Sequence, residues 1–167
     1  MPNWCEGNIR LRGKRADIMD FLRNEIECVG YRNYPDGLET QLVEIEEFYG
    51  DVIVNAPDNM KNTAFCRFHI KETRRNFISG KSFNVYLDED AEPNTICIDG
   101  FRAAWGVEAE PYLKKARKYG IDIHIVGFER GMEFSQEIEI VGGELLKDCE
   151  IKYDDWMWEC PMPNMGG

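Results

Sequence analysis

Residues 95–141, TICIDGFRAAWGVEAEPYLKKARKYGIDIHIVGFERGMEFSQEIEIV, hold the clearest periodic patterns in the chain. Isoleucines alternate with Asp122 and His124 in residues 121–128, and apolar side chains alternate with glutamates in residues 133–141. A period of two with one charged face is typical of a strand that is buried on one side only. The pattern predicts these two strands, a turn at 129–132 between them, and a third strand at 95–103.

A helix is predicted between these strands, over residues 108–119. Its apolar residues recur with helical spacing and form one stripe: Ala109, Tyr112, Leu113 and Ala116. Pro111 is tolerated in the first turn of a helix, and Gly120 suits the C-terminal cap. The basic residues at 114–118 favour the negative end of the helix dipole. We therefore expect one helix that covers one face of an antiparallel sheet.

The N-terminal residues predict a second strand-and-helix unit, with a strand at 1–13 and a helix at 15–27. Two such units in one antiparallel sheet make a ferredoxin-like split βαβ sandwich, an α+β fold with both helices on one face. The predicted core consists of the apolar residues of these elements: Ile9, Leu11, Ile18, Phe21, Leu22, Ile96, Ile98, Leu113, Ile121, Ile123, Ile125, Ile138 and Ile140.

The chain of 167 residues has the length of one domain. Residues 1–30 and 95–142 would form the two halves of the core. Residues 33–94 would form a strand-rich insert that either extends the main sheet or makes a second small sheet. The insert opens with a turn at 33–37, and strand patterns follow near 42–48, 52–54, 64–70 and 82–88. Residues 143–167 would be a C-terminal extension with a last strand near 148–153.

Three segments carry a resemblance to a known family. The start Met1-Pro2-Asn3-Trp4-Cys5, the segment Phe101–Trp105 and the turn Phe128-Glu129-Arg130-Gly131 resemble the YubB ferredoxin-like family. Its members are small phage, prophage and plasmid proteins, mostly of unknown function. The resemblance covers about residues 1–30 and 95–142, and it implies a ferredoxin-like fold and a mobile-element origin. Gly106-Val107 stand where the family tends to have Pro-Pro, and no active-site residue is carried over.

Charge is the unusual property of the composition, with 31 acidic and 20 basic residues and a net charge of −11. Such a field repels nucleic acid and attracts basic surfaces, although it also serves solubility alone. Together with the family resemblance, it motivates the hypothesis of a non-enzymatic interaction protein that binds a host protein. The sharpest version is an anti-defence inhibitor, such as an anti-CRISPR protein, whose acidic surface occupies the basic groove of a CRISPR effector or other defence nuclease.

The candidate partner-binding residues are carboxylates of the insert and two tryptophans near the C-terminus: Glu44, Glu46, Glu47, Asp88, Glu89, Asp90, Trp156 and Trp158. In a strand the two tryptophans would share one face, either as an exposed anchor or as a cap on the core. The alternative function is a nucleic-acid-binding accessory protein that uses basic clusters containing Arg10, Arg12, Arg74 and Arg75. An enzyme of unknown class comes third.

No catalytic or cofactor signature is present: the chain lacks G-x-S-x-G, P-loop and H-E-x-x-H spacings. His69 and His124 are interpreted as surface or hydrogen-bonded structural residues, and no cofactor or metal is expected. Six scattered cysteines predict free thiols, with Cys66 and Cys97 in the core, although a zinc site of scattered ligands stays open. No signal peptide or membrane span is apparent, so we expect a cytoplasmic protein.

Overall fold

The computed structural model describes residues 2–33 and 36–167. Tyr34 and Pro35, in the middle of the predicted turn at 33–37, lie outside the described residues. The protein is an α+β protein with a nine-stranded antiparallel sheet, a three-stranded sheet and four helices among these residues. The helices are α1 (Arg15–Glu25), α2 (Asp58–Lys61), α3 (Ala109–Tyr119) and α4 (Trp156–Glu159).

The strands of the large sheet are β1 (Trp4–Gly13), β2 (Ile26–Asn33), β3 (Asp36–Leu42), β6 (Ala64–Ile70), β7 (Asn76–Ile78), β9 (Asn94–Ala104), β10 (Asp122–Glu129), β11 (Phe134–Val141) and β12 (Glu144–Lys152). Their order is β12-β11-β10-β1-β9-β7-β6-β2-β3. The small sheet contains β4 (Glu44–Phe48), β5 (Asp51–Asn55) and β8 (Ser82–Tyr86), in the order β4-β5-β8. The insert therefore both extends the main sheet and forms a second sheet.

The inner face of the large sheet carries the core. Alternate residues of the strands, among them Ile9, Ile98 and Ile123, point to this face and are buried in one cluster with the apolar stripes of α1 and α3. The same cluster includes Val52 and Val85 of the small sheet, so that sheet covers part of the inner face as well. The outer face carries the other half of the alternation, and it holds the candidate site.

The periodic patterns located the core well. Twelve of the thirteen predicted core residues are buried, and Leu113 is partly buried against them. The prediction for Cys97 is wrong: it is exposed, because in β9 it alternates with the buried Ile96 and Ile98. The helix predicted at 15–27 ends at Glu25, where β2 follows without a loop.

No helix among the described residues is long and apolar enough to cross a membrane.

Candidate nucleic-acid interface

Cross-strand register builds a row of polar and aromatic side chains over the outer face. His69 of β6 lies opposite Glu27 of β2 on one side and Phe77 of β7 on the other. Phe77 is opposite Arg102 of β9, and Arg102 is opposite Glu6 of β1. Directly opposed residues in antiparallel strands share one face, so these five side chains run side by side over five strands.

Arginines and aromatic rings alternate around this row, and we call the group the Arg–aromatic face: Trp4, Phe65, Arg67, Arg74, Arg75, Phe77, Arg102 and Trp105. The Arg67 guanidinium carbon lies 6.0 Å from the Phe65 ring centroid and 5.0 Å from that of Phe77. Arg74 and Arg75 each lie 5.5 Å from the Trp105 ring.

Trp4 takes part in the same arrangement. Arg75 and Arg102 lie 5.7 Å and 5.5 Å from its ring, which contacts Phe77 edge to face at 6.0 Å. Cations within about 6 Å of a ring are attracted by its quadrupole. The guanidinium groups are thus held over flat apolar rings.

Positive charge is left uncompensated on this face. Arg102 pairs with Glu6 at 2.9 Å, but among the described residues Arg67, Arg74 and Arg75 have no carboxylate within 4.0 Å. Burial, together with repulsion from Arg102 and Arg75, lowers the pKa of Arg67. The buried Nε of Arg102 has no hydrogen-bond partner among the described residues. Repelling cations without counter-charges favour an anionic ligand.

A cavity of about 640 Å³ opens at the centre of this face. Its walls include Tyr31, Phe65, Arg67 and Phe77, and its polar edge is formed by Glu27 and His69. His69 Nδ1 lies 2.7 Å from Glu27 Oε1, and His69 Nε2 lies 3.2 Å from the carbonyl oxygen of Thr73. Both partner atoms are hydrogen-bond acceptors, so the His69 ring is held between them at the edge of the cavity.

Three of the six described non-glycine residues with a positive φ belong to this face. Phe65, Arg75 and Trp105 have φ angles of 58°, 54° and 63°, in the left-handed region that favours glycine. Such conformations cost about 1–3 kcal/mol each and tend to cluster at functional sites. Three strained residues on one face support a binding role for it.

The predicted basic residues are only partly brought together. Arg74 and Arg75 lie on the Arg–aromatic face. Arg10 and Arg12 also point to the outer face, but they lie towards the opposite end of β1, where Arg12 pairs with Asp122 at 2.7 Å. Phe65, Arg67 and His69 already share one side of the strand pattern at 64–70. Their neighbours Trp4, Phe77 and Arg102 carry no comparable signal in the sequence.

The predicted acidic residues lie on and beside the small sheet, and some of their carboxylates already have partners within the protein. Glu47 is held by Arg15 and Arg23 at 2.7 Å and 2.8 Å, and Asp88 accepts the backbone N–H of Asp90. Phe48 and Tyr49 at the tip of the β4–β5 hairpin are 68% and 86% exposed. Tyr86, opposite Asp51, is 58% exposed. We call this surface the acidic end. It consists of Phe48, Tyr49 and Tyr86 with the carboxylates of β4 and β5: Glu44, Glu46, Glu47 and Asp51.

Trp156 and Trp158 do not share a face, so that prediction is wrong. Residues 156–159 form the short helix α4, where Asp155 caps the N-terminus by accepting the backbone N–H of Trp158. Trp156 is 3% exposed and packs with Phe128 and Cys160, whereas Trp158 is 86% exposed. Of the two proposed anchors, only Trp158 faces solvent.

The remaining reactive side chains form no catalytic constellation among the described residues. His124 Nε2 lies 2.9 Å from Glu137 Oε1, which Lys147 Nζ also contacts at 3.0 Å. All six cysteines are free thiols, with Cys28 Sγ and Cys66 Sγ 3.5 Å apart. No group of three or more His, Cys, Asp or Glu residues is placed to hold a metal ion in the described part of the chain.

Comparison with known proteins gives no further constraint, because no family model, no curated protein and no solved structure matches the chain.

Proposed function

We propose that the protein is a non-enzymatic binding protein and that its Arg–aromatic face binds single-stranded nucleic acid. One observation carries the proposal: Arg67, Arg74 and Arg75 lie against aromatic rings with no carboxylate within 4.0 Å among the described residues. Proteins that bind single strands combine cationic side chains along the backbone with aromatic rings on which bases stack.

The aromatic rings of the Arg–aromatic face favour single-stranded over double-stranded nucleic acid. Base–aromatic stacking contributes about 1–3 kcal/mol per base, and it requires bases whose faces are free. Trp105, Phe65 and Tyr31 present large rings at the surface of this face or in its cavity. A duplex hides its base faces and would meet the arginines alone.

The net charge of −11 does not oppose this assignment locally. Interactions between exposed charges are screened beyond about 8 Å at physiological ionic strength. On the face itself the row of opposed side chains holds two carboxylates: Glu6, which pairs with Arg102, and Glu27. The overall acidity should slow association and restrict binding to this one surface.

The test is fluorescence anisotropy with a labelled single-stranded oligonucleotide and a duplex of the same length at low salt. We expect the single strand to bind more tightly, and its affinity to fall as salt rises. The double variant Arg74→Gln/Arg75→Gln should weaken binding and reduce the salt dependence. The matched control, Lys14→Gln/Lys114→Gln, removes two exposed charges elsewhere and should change little.

Trp105→Asn separates function from folding. Asparagine adopts positive φ more readily than tryptophan, so the folded state should keep its stability or gain some. Its affinity for the single strand should nevertheless fall, because a stacking ring is lost. Equal binding by the wild type, Trp105→Asn and Arg74→Gln/Arg75→Gln would reject the proposal.

The acidic end supports a second candidate, a basic host protein as partner. Tyr49 has a φ of 46° beside Gly50 in a tight turn that ordinarily favours Asn-Gly, yet it presents a ring that is 86% exposed. Aromatic anchors among charges are typical of interfaces. In its sharpest form the partner is a CRISPR effector or another defence nuclease, consistent with the resemblance to YubB-like proteins of mobile elements.

This candidate is tested by measuring how strongly the protein inhibits DNA cleavage by a CRISPR effector nuclease as the salt concentration rises. Inhibition by the wild type that weakens with salt and is lost in Glu44→Lys/Glu46→Lys would support it, as would its loss in Tyr49→Asn. Inhibition that instead depends on Arg74 and Arg75 would assign the effect to competition for nucleic acid.

The sheet order also supports the proposal of an embedded ferredoxin-like unit. Strands β10, β1 and β9 are neighbours, and both long helices, α1 and α3, lie on the inner face. Strands β6 and β7 of the insert stand between β9 and β2. The proposal is that the insert has opened the sheet at this point, and the Arg–aromatic face lies over the same strands.

A further inference from the structure

We infer that the cavity of the Arg–aromatic face selects guanine and that Glu27 is the residue that reads the base. This inference rests on the proposed function, because it specifies which base of a bound single strand enters the cavity. It follows from a carboxylate oxygen without a described donor in a cavity that is otherwise lined mainly by cationic, aromatic and apolar side chains.

Glu27 is chemically exceptional where it stands. Among the described residues that line the cavity it is the only acidic one, beside four cationic or potentially cationic side chains: Arg67, His69, Arg74 and Arg75. A carboxylate there offsets the positive charge that would hold the phosphates. The carboxylate of Glu27 is therefore unfavourable for the nonspecific binding of a polyanion. It favours a ligand that carries hydrogen-bond donors.

The hydrogen bonds of Glu27 leave one oxygen open. Oε1 lies 2.7 Å from His69 Nδ1, and no described residue donates a hydrogen bond to Oε2. The side chain is only 18% exposed. An ionised carboxylate accepts hydrogen bonds only, so Oε2 has room for a donor from solvent or from a ligand. A ligand N–H that enters the cavity would satisfy this oxygen.

Guanine is the base that fits. Its Watson–Crick edge places two donors side by side, N1–H and N2–H. One of them can reach the open Oε2 and the other can share Oε1 with His69, because a carboxylate oxygen accepts more than one hydrogen bond. Adenine and cytosine offer a single donor group beside an acceptor, and uracil or thymine offers one N–H between two carbonyl oxygens. An acceptor opposite a carboxylate is repelled, so these edges fit less well.

Other residues that line the cavity can contact the remaining atoms of guanine. Arginine donors are the commonest partners of guanine O6 and N7, and Arg67 lies between the Phe65 and Phe77 rings where it can reach them. The Phe77 ring, whose centroid is 5.4 Å from that of His69, adds an apolar wall to the cavity beside Glu27. The cavity volume of about 640 Å³ falls within the range of about 300–1,000 Å³ for small-molecule sites.

The experiment uses the full-length protein and oligothymidine probes with one central base varied among guanine, adenine, cytosine, thymine and hypoxanthine. We expect the guanine probe to bind about tenfold more tightly than the thymine probe, as for a bidentate base contact. Hypoxanthine keeps N1–H but lacks the N2 amino group. The hypoxanthine probe should therefore bind only slightly more tightly than the thymine probe.

Glu27→Gln should abolish the preference for guanine and, because it removes a carboxylate beside the arginines, should tighten the binding of the thymine probe. Gln keeps the size of the side chain and an acceptor for His69, but its amide cannot receive two donors. The matched control is Glu137→Gln, the same change in the His124–Glu137 pair elsewhere on the outer face. That variant should keep the preference.

The outcomes are distinguishable. Equal affinity for all five probes, with the salt dependence intact, would overturn guanine selection and leave the proposed function standing. A guanine preference that survives Glu27→Gln would overturn the role of Glu27. Failure to bind any single strand would remove both the inference and the proposed function.

Discussion

A buried ion cluster at Glu25 joins the end of α1 to α3, and its disruption should destabilise the fold. Lys115 Nζ lies 2.7 Å from Glu25 Oε2, while Lys118 Nζ and Tyr119 Oη lie 2.8 Å and 2.6 Å from Oε1. Lys115 is only 2% exposed. The informative change is Lys115→Met, which keeps chain length and helix propensity but removes the ammonium group.

The expected loss of stability is about 2–4 kcal/mol. Breaking a buried ion pair by removing one partner costs about 3–5 kcal/mol, because the other charge stays behind without compensation. Lys118 and Tyr119 remain bonded to Glu25, so the loss should fall towards the lower part of that range. Urea titration at pH 7, followed by tryptophan fluorescence, measures the change.

A paired variant checks the cause. Glu25→Leu/Lys115→Met removes both charges and leaves apolar side chains, so it should recover most of the stability that Lys115→Met loses. A loss under about 1 kcal/mol for Lys115→Met, or no recovery in the double variant, would refute the reasoning.

The same cluster predicts acid sensitivity. Burial raises the pKa of Glu25, but hydrogen bonds from Lys115, Lys118 and Tyr119 outweigh it and lower the pKa from 4.5 to about 2. A lowered folded-state pKa stabilises the protein fully above the unfolded value, and this contribution is lost as pH falls from about 4.5 to about 2. It corresponds to about 3 kcal/mol at neutral pH. Glu25→Gln should therefore show a shallower loss of stability with acid than the wild type.

The core, the tryptophans and the thiols give three further predictions. Ile123→Ala should cost about 2–5 kcal/mol by denaturant titration, since the residue is buried in the main core, and a loss under about 1 kcal/mol would contradict that position. Trp156→Ala should cost about 3–5 kcal/mol and Trp158→Ala less than about 0.5 kcal/mol; similar losses would mean that both rings pack alike. Six thiols should react with reagent after denaturation without reductant, whereas a count of four would reveal a disulfide.

Local patterns predicted what depends on local spacing. The alternation of Ile121, Ile123 and Ile125 placed them on the inner face, because a strand turns successive side chains to opposite sides. The capping signal at Asp155 was also present in the sequence, and it indicates the short helix that separates Trp156 from Trp158. The interpretation of residues 156–158 as a strand did not take this cap into account.

Pairings over long sequence separations were beyond such patterns. The helix pattern does not indicate that Lys115 is buried, because its partner Glu25 lies 90 residues away. Likewise Trp4, Phe77 and Arg102 come from strands far apart in the chain. They form one face only because β1, β9 and β7 are neighbours in the sheet.

The four tryptophans allow the most direct measurement of ligand binding at the Arg–aromatic face. Trp4 and Trp105 belong to the face, Trp156 is buried under the C-terminal segment, and Trp158 is exposed on α4. In NMR spectra of protein labelled with ¹⁵N at the indole nitrogens, a single-stranded oligonucleotide that contains guanine should shift the Trp4 and Trp105 signals and leave those of Trp156 and Trp158 in place. Unmoved Trp4 and Trp105 signals at saturating oligonucleotide, or shifts at Trp158 alone, would contradict binding at this face.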